Sequence, residues 1–456
     1  MKYKNLVINN PEDLVFGSAP FPVTTPRGLV IGGGEVYPEL NFTLPPMSIS
    51  KETYGEVKEH YREIVSGALE RVRDLHQDGV VFEFETLLEM TLDPQLGTDL
   101  VAIMNDLCED AYQKYGIKSE IRLTPNDTRD YERPVRQRSS KYLDNMLQLF
   151  EKGAKAGGNL LSIESTGGKE VCDDALMNCN IRDVIFSMAV LGVRDMQFLW
   201  DKITDIADST RTIPGGDTAC GFGNTAMVLA EKKYIPKVFA AVVRIATVVR
   251  TLVALEEGAK GPDKDCGYEG PFLKAITGTP ISMEGRTAAC AHLSPLGNIA
   301  GACCDLWSNE SVTNIKLLAG MAPTVYMEQL IYDTRLFNQA TKFDGVELYK
   351  KMMVESDIHL DPQALILDPV NVIAISKAIV SGKNYVDAAI LGCLKGLEII
   401  QTHVNEGSLY LDDRELVWID MLRDELSQMP REEGLLVAAV EPSLDKNKVL
   451  LREYGL

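Results

Sequence analysis

Three residues able to bind a metal sit in glycine-rich segments far apart in the chain. Glu164 closes the run Asn159-Leu-Leu-Ser-Ile-Glu164 and precedes Ser165-Thr-Gly-Gly168. Cys220 lies in Asp217-Thr-Ala-Cys-Gly-Phe-Gly-Asn224, and Cys266 in Gly261-Pro-Asp-Lys-Asp-Cys-Gly-Tyr-Glu-Gly270. Their separations are 56 and 46 residues, so only a fold that gathers distant loops could bring them together. Glycine neighbours let backbone crowd a small site. The plainer reading of any one cysteine is a small buried apolar side chain; the loop settings of Cys220 and Cys266 weigh against that reading for them. Cys172 and Cys179 follow the Glu164 segment and are rival ligands. Cys303 and Cys304 are adjacent, so on a helix they point about 100° apart and read as structural.

Other chemistry is missing from the sequence. It has no G-x-S-x-G, H-E-x-x-H, G-x-x-x-x-G-K-[ST] or C-x-x-C motif. Its five histidines, His60, His76, His292, His359 and His403, form no close pair, which argues against a three-histidine zinc hydrolase. Gly32-Gly33-Gly34 lacks the spacing of a dinucleotide loop and reads as a tight turn.

The segments around the three residues alternate between strand and helix. Apolar runs at 79–85, 119–124 and 159–164 read as strands, the first and last ending on carboxylates. Helical periodicity fills 52–75, 97–116, 139–157, 181–193, 195–209, 225–233 and 237–259. A βαβα rhythm implies parallel strands with right-handed crossovers. The expected fold is α/β, a (β/α)8 TIM-type barrel with an N-terminal cap and additional helical segments. The organisation expected is a non-helical cap over 1–50, a barrel with helical insertions over 51–310, and a C-terminal helical layer over 311–456. Within the cap, 5–9, 29–31 and 39–42 read as short strands or turns. Segments 212–224 and 258–270 read as loops, and 297–307 as helical. In such a barrel the loops after successive strands open onto one face, where remote residues converge.

Composition narrows the partners. The chain has 456 residues, 45% hydrophobic and 25% charged, with a formal charge of −20. That field repels phosphate, so neither nucleic acid nor an anionic membrane is an expected partner. The longest uncharged run, 287–304, contains His292, Pro295 and two glycines and reads as a loop leading into a buried helix. Segment 237–259 is apolar but carries Lys237, Arg244 and Arg250, the mark of a core helix. No apolar stretch follows the first ten residues as a leader would, so a cytoplasmic location and nine free thiols are expected. The densest basic run, Arg129, Arg133, Arg136, Arg138 and Lys141, reads as a solvated loop and helix start or as a docking element.

The stretches Leu160-Leu-Ser-Ile-Glu-Ser-Thr-Gly-Gly-Lys169, Ile213-Pro-Gly-Gly-Asp-Thr-Ala-Cys-Gly-Phe-Gly-Asn224 and Gly261–Gly270 resemble the zinc-site segments of the methanol–corrinoid protein Co-methyltransferase family. The opening stretch Gly28-Leu-Val-Ile-Gly-Gly-Gly-Glu-Val-Tyr-Pro-Glu-Leu-Asn-Phe42 is similar to the family's N-terminus. The resemblance runs essentially the full length. It implies a barrel holding Zn²⁺ through Glu164, Cys220 and Cys266. It also implies a partner corrinoid protein that brings Co(I) cobamide over the barrel mouth, in a dimer of heterodimers with a homodimer at its centre. The implied reaction moves the methyl group of methanol to Co(I), giving methyl-Co(III) and water. Hydroxide is a poor leaving group, so zinc would act as a Lewis acid on the alcohol oxygen, with three protein ligands leaving a fourth position open. Two thiolates, a carboxylate and a divalent ion leave the centre one unit negative, which disfavours full deprotonation of methanol. A neighbouring acid would then share a proton with the oxygen, and Glu83, Glu85, Asp217 and Asp265 are candidates. A corrinoid methyltransferase for another donor, a methoxylated aromatic or a methylamine, is the nearest alternative. A non-catalytic barrel scaffold is a further one.

Overall fold

Parallel strands appear in chain order around a ring in the computed structural model of the protein, which describes residues 1–42, 44, 47–264, 267–311 and 316–456. Among the described residues the ring has seven strands: β1 Tyr37–Asn41, β2 Gly79–Glu85, β3 Lys118–Thr124, β4 Gly158–Ile163, β5 Ile213–Asp217, β6 Ser282–Glu284 and β7 Leu306–Asn309. They lie side by side as β5-β4-β3-β2-β1-β7-β6, all parallel. An extended segment at 260–263 joins the two edges. On one side the amides of Lys260 and Gly261 donate to Pro214 and Gly215 of β5, at 2.7 and 2.8 Å. On the other, Asp263 pairs in parallel with Ile281 beside β6. The ring is therefore a closed (β/α)8 barrel, as the βα rhythm leads one to expect.

Helices cover the outside. They are α1 Tyr54–Asp74, α2 Pro94–Tyr115, α3 Leu143–Lys155, α4 Lys169–Met177, α5 Val193–Thr210, α6 Cys220–Glu231, α7 Lys237–Glu256, α8 Gly270–Thr277 and α9 Ala322–Lys342. On α1 the buried residues Val57, Tyr61, Ile64, Val65, Ala68 and Val72 recur at helical spacing and form the stripe that seats it on the barrel. Helix α2 starts where Asp93 accepts the Gln95 amide and Pro94 takes the first turn, and stops at Gly116 in the left-handed region. Helix α7 is long and apolar enough to cross a membrane, yet it is entirely enclosed. One wall of that enclosure is Tyr385–Asn405, whose Gly396 lies so close that a Cβ there would come 2.2 Å from Ile245.

Inside the barrel, side chains form layers. Leu29 and Ile31, from a ribbon pairing Ser18–Thr24 with Val30–Gly33, plug the bottom against Tyr37, Val81, Leu160 and Leu306. Above them Arg122 reaches across the axis to Glu39 at 2.6 Å, to Ser162 at 2.9 Å and to the Pro262 carbonyl at 2.9 Å. Higher still, at the C-terminal ends of the strands, the mouth is built from charged residues.

Several elements differ from the sequence expectation. The first barrel strand is Tyr37–Asn41 and the helix packed on it is α9, so the ring starts before residue 51 and its last helix lies beyond residue 310. Residues 5–9 form no strand; instead the Val7 and Ile8 amides donate to the carbonyls at the end of α8. The segment expected as a loop at 212–224 contains β5 and the start of α6, and that at 258–270 contains the closing segment. Residues 297–307 give a single 3-10 turn, Ile299–Cys303, and then β7 rather than a helix. Small residues there carry no periodicity, and pairing with β1 decides the outcome. Segments 181–193 and 195–209 run on as one helical stretch through a wide turn at Ser187–Gly192.

Candidate active site

Glu164 follows β4 directly, and Cys220 is the first residue of α6, three residues past β5. The two therefore stand on successive loops of the mouth. Cys220 sits in a helical first turn rather than in a free loop. The Asn224 amide, one turn later, donates to its sulfur at 3.5 Å. Cys266 and Asp265 lie outside the described residues. Their neighbours on either side, Lys264 and Gly267, belong to the same face.

Lys264 is the residue that the sequence reading missed. Its ammonium is buried, 2.8 Å from Glu164 Oε1, 3.1 Å from Glu83 Oε1 and 4.0 Å from Glu85 Oε2. One cation thus faces three carboxyl groups from two strands. Glu83 is fully enclosed and accepts a 2.8 Å hydrogen bond from Thr124; burial pushes its carboxyl up. Burial, then the charge of Glu164, pushes Glu85 up to about 8. The only signal for Lys264 was its position two residues before Cys266 in a glycine-flanked motif.

The loops carrying these groups are fixed from behind by buried acids. Asp217 accepts from the Ser165 amide at 3.2 Å, the Ser165 hydroxyl at 2.7 Å, the Trp200 indole at 2.9 Å and the Thr218 amide at 2.8 Å. Arg250 stands behind it at 3.5 Å and stacks over the Phe222 ring at 4.7 Å. Burial raises the Asp217 pKa against the pull of Arg250, but its oxygens are taken up by these donors. Asp217 is thus a tie between the Glu164 and Cys220 loops. Glu269 does the same one strand further on. Its Oε1 accepts the Ala219 amide at 2.7 Å and the Thr251 hydroxyl at 2.9 Å, while the Gly267 amide donates to Thr218 at 2.9 Å.

A third tie runs through Arg129. This residue belongs to the basic run weighed as a docking element, but it is wholly buried. It forms 2.8 Å pairs with Asp127 and Asp195. Asp127 in turn accepts the Thr166 amide and hydroxyl at 2.9 and 3.0 Å. Gly167 is required here, since a Cβ would come 2.4 Å from Asp195. Arg129 therefore leaves the surface patch, whereas Arg133, Arg136, Arg138 and Lys141 remain exposed.

In front of the loops lies a cavity of about 170 Å³ whose walls include Glu85, Thr124, Asn126, Glu164, Gly221 and Phe222. That is below the roughly 300–1,000 Å³ of pockets for drug-sized ligands. The rival cysteines are elsewhere: Cys172, Cys303 and Cys304 are enclosed in the core, and burial pushes the Cys172 thiol up to about 12.

Residues 1–455 match the family model described as methanol-cobalamin methyltransferase B subunit. The chain is 36% identical over 383 residues to a methanol–corrinoid protein co-methyltransferase of Methanosarcina barkeri, covering 83% of this chain and 82% of that one. It also superposes on a solved chain of the methanol:cobalamin methyltransferase complex MtaBC from Methanosarcina barkeri. That match has a TM-score of 0.95 at 32% identity, over 100% of this chain and 99% of the other. With a full-length barrel, a charged mouth and these relatives, the chain belongs to the methanol-cobalamin methyltransferase B-subunit family.

Proposed function

We propose that the protein transfers the methyl group of methanol to the Co(I) corrinoid of a partner corrinoid protein, using zinc held by Glu164, Cys220 and Cys266. The observation that carries the reading is the joining of the Glu164 and Cys220 loops through Asp217 beside a small, acid-lined cavity. The donor set fits the ion. A carboxylate and a helix-start sulfur suit a borderline divalent cation, and Glu164 stands at the cavity wall with Lys264 beside it. When bound, zinc supplies Lewis acidity toward the alcohol oxygen and so eases loss of water.

The rest falls to the chain. Lys264 holds Glu164 and Glu83 in fixed positions. Glu85 is the candidate best situated to give a proton to the departing oxygen: it lines the cavity, whereas Asp217 is engaged with the loop backbone and Glu83 lies deeper. Phe222 and the loop backbone limit the space to a small donor. The balanced change is methanol, Co(I) and a proton going to methyl-Co(III) and water.

The corrinoid protein would dock over the barrel mouth, the face that presents the cavity. A homodimer within a heterotetramer and a cytoplasmic location complete the proposal. Another methyl donor, a methoxylated aromatic or a methylamine, is the second reading, and the small cavity weighs against the methoxylated aromatic. The test is elemental analysis of the purified chain, followed by methyl transfer to free cob(I)alamin from methanol and from the rival donors. One zinc per chain and transfer from methanol are expected. Metal-free protein with full activity, or preference for a rival donor, would overturn the reading.

A further inference from the structure

Across the mouth from Glu164 and Cys220, the loops after the last two strands bring together a second set of ligand atoms. Glu284 is the final residue of β6, His292 ends the short helix Arg286–Ala291, and Glu310 follows β7. One ligand atom from each lies within 4.8 Å of the other two. Glu284 is buried, while His292 and Glu310 are partly exposed and leave a path for entry.

Two further observations point to a ligand there. The His292 Nδ1 lies 2.9 Å from the Ala288 carbonyl. A carbonyl can only accept, so Nδ1 carries a proton and Nε2 is the ring nitrogen turned into the cluster. Metal-binding histidines are commonly oriented in this way by a backbone carbonyl. Nε2 lies 3.8 Å from Glu310 Oε1, a separation that two ligands of one ion span. Secondly, Ser308 is in register with Glu284 on the parallel neighbour, so both side chains point inward. Its hydroxyl is buried and has no hydrogen-bond partner among the described residues.

We propose that Glu284, His292 and Glu310 bind a divalent first-row transition ion at a site separate from the Glu164–Cys220 centre. One imidazole and two carboxylates suit such an ion, and two negative charges balance it. The Ser308 hydroxyl is placed to hydrogen-bond a water on the ion. The ion ties the loops after the last two strands to each other on the rim of the mouth.

The test uses the full chain, stripped with a chelator and titrated with Co²⁺. Ligation by sulfur gives intense thiolate charge-transfer absorption, whereas a nitrogen–oxygen site gives only weak ligand-field bands. Wild type is expected to take up a second equivalent without added thiolate absorption. His292→Ala and Glu310→Gln should each lose that equivalent, keep the thiolate band and keep the wild-type circular dichroism. Cys220→Ala should lose the thiolate band and retain the second equivalent, so failure of the zinc reading and failure of this one are distinguishable. A single equivalent in wild type would overturn the proposal, and so would Co²⁺ binding by His292→Ala and Glu310→Gln that matches wild type. Either result would leave His292 and Glu310 as an ordinary ion pair.

Discussion

Asp217, the last residue of β5, accepts both the amide and the hydroxyl of Ser165, the residue after Glu164, at 3.2 and 2.7 Å. The same carboxylate holds the Thr218 amide, two residues before Cys220. Two loops that must meet at one ion are thereby referenced to a single buried group. Asp217→Asn keeps the shape but turns one acceptor into a donor that opposes the Trp200 indole. Groups that orient metal ligands contribute about 10–100-fold in affinity, and an unsatisfied buried donor costs about 1–3 kcal/mol. Asp217→Asn is therefore expected to bind zinc about 10–100-fold more weakly while remaining folded, measured by competition with a chromophoric chelator. Wild-type affinity would show that the tie does not position the ligands.

The ligand assignment separates the cysteines. Cys220→Ala is expected to lose zinc and methyl transfer together, as is Cys266→Ala. Cys303→Ala should keep both, because Cys303 is enclosed in the core with its thiol against the Leu14 carbonyl. Glu164→Gln should retain part of the metal through the two sulfurs. Zinc content and single-turnover methylation of cob(I)alamin, measured on the same samples, decide the matter.

Much of this architecture can be read before the structure is seen, for physical reasons. β2 is Gly79–Glu85, the run seen in the sequence, because its start, Gly79-Val-Val-Phe82, is buried and so reads as an apolar run. Glu164 is legible because it breaks such a run at a strand end. The three-residue strand Ser282–Glu284 and the segment at 260–263 carry no comparable local signal. They are extended because neighbouring backbone pairs with them. The buried ion pairs are hidden for a similar reason. Arg129 looks like one charge in a basic run, and only the approach of Asp195 from α5 shows why it can be buried. Lys264 likewise gains its meaning from three carboxylates on distant segments.

Glu85 gives a third prediction. It lines the cavity, has Asn41 at 3.4 Å and stands across Lys264 from Glu164. Glu85→Gln preserves the side-chain volume but cannot release a proton. General-acid catalysis contributes about 10²–10⁴-fold, so kcat should fall by about that much with zinc content unchanged. The solvent deuterium effect on methyl transfer should shrink in the variant. An unaltered kcat and isotope effect would remove Glu85 from the chemistry.

Glu170 predicts how stability responds to pH away from the metal ligands. It lies on α4 and accepts the Tyr454 hydroxyl at 2.7 Å through Oε1, while Oε2 is buried without a partner among the described residues. Burial pushes its pKa from 4.5 to about 7, despite the hydrogen bond from Tyr454. The folded state therefore holds this proton more tightly than the unfolded chain does. The resulting stabilisation is complete below the unfolded value, fades as pH rises through about 7 and is gone above it. A shift of this size, discounted for partial exposure, is worth about 1–3 kcal/mol. Between about pH 5 and about pH 8, wild type should lose that much more stability than Glu170→Gln, whose neutral amide does not titrate. Urea midpoints at the two pH values measure the difference directly, and parallel losses in the two proteins would show that the Glu170 carboxyl ionises without cost in the fold.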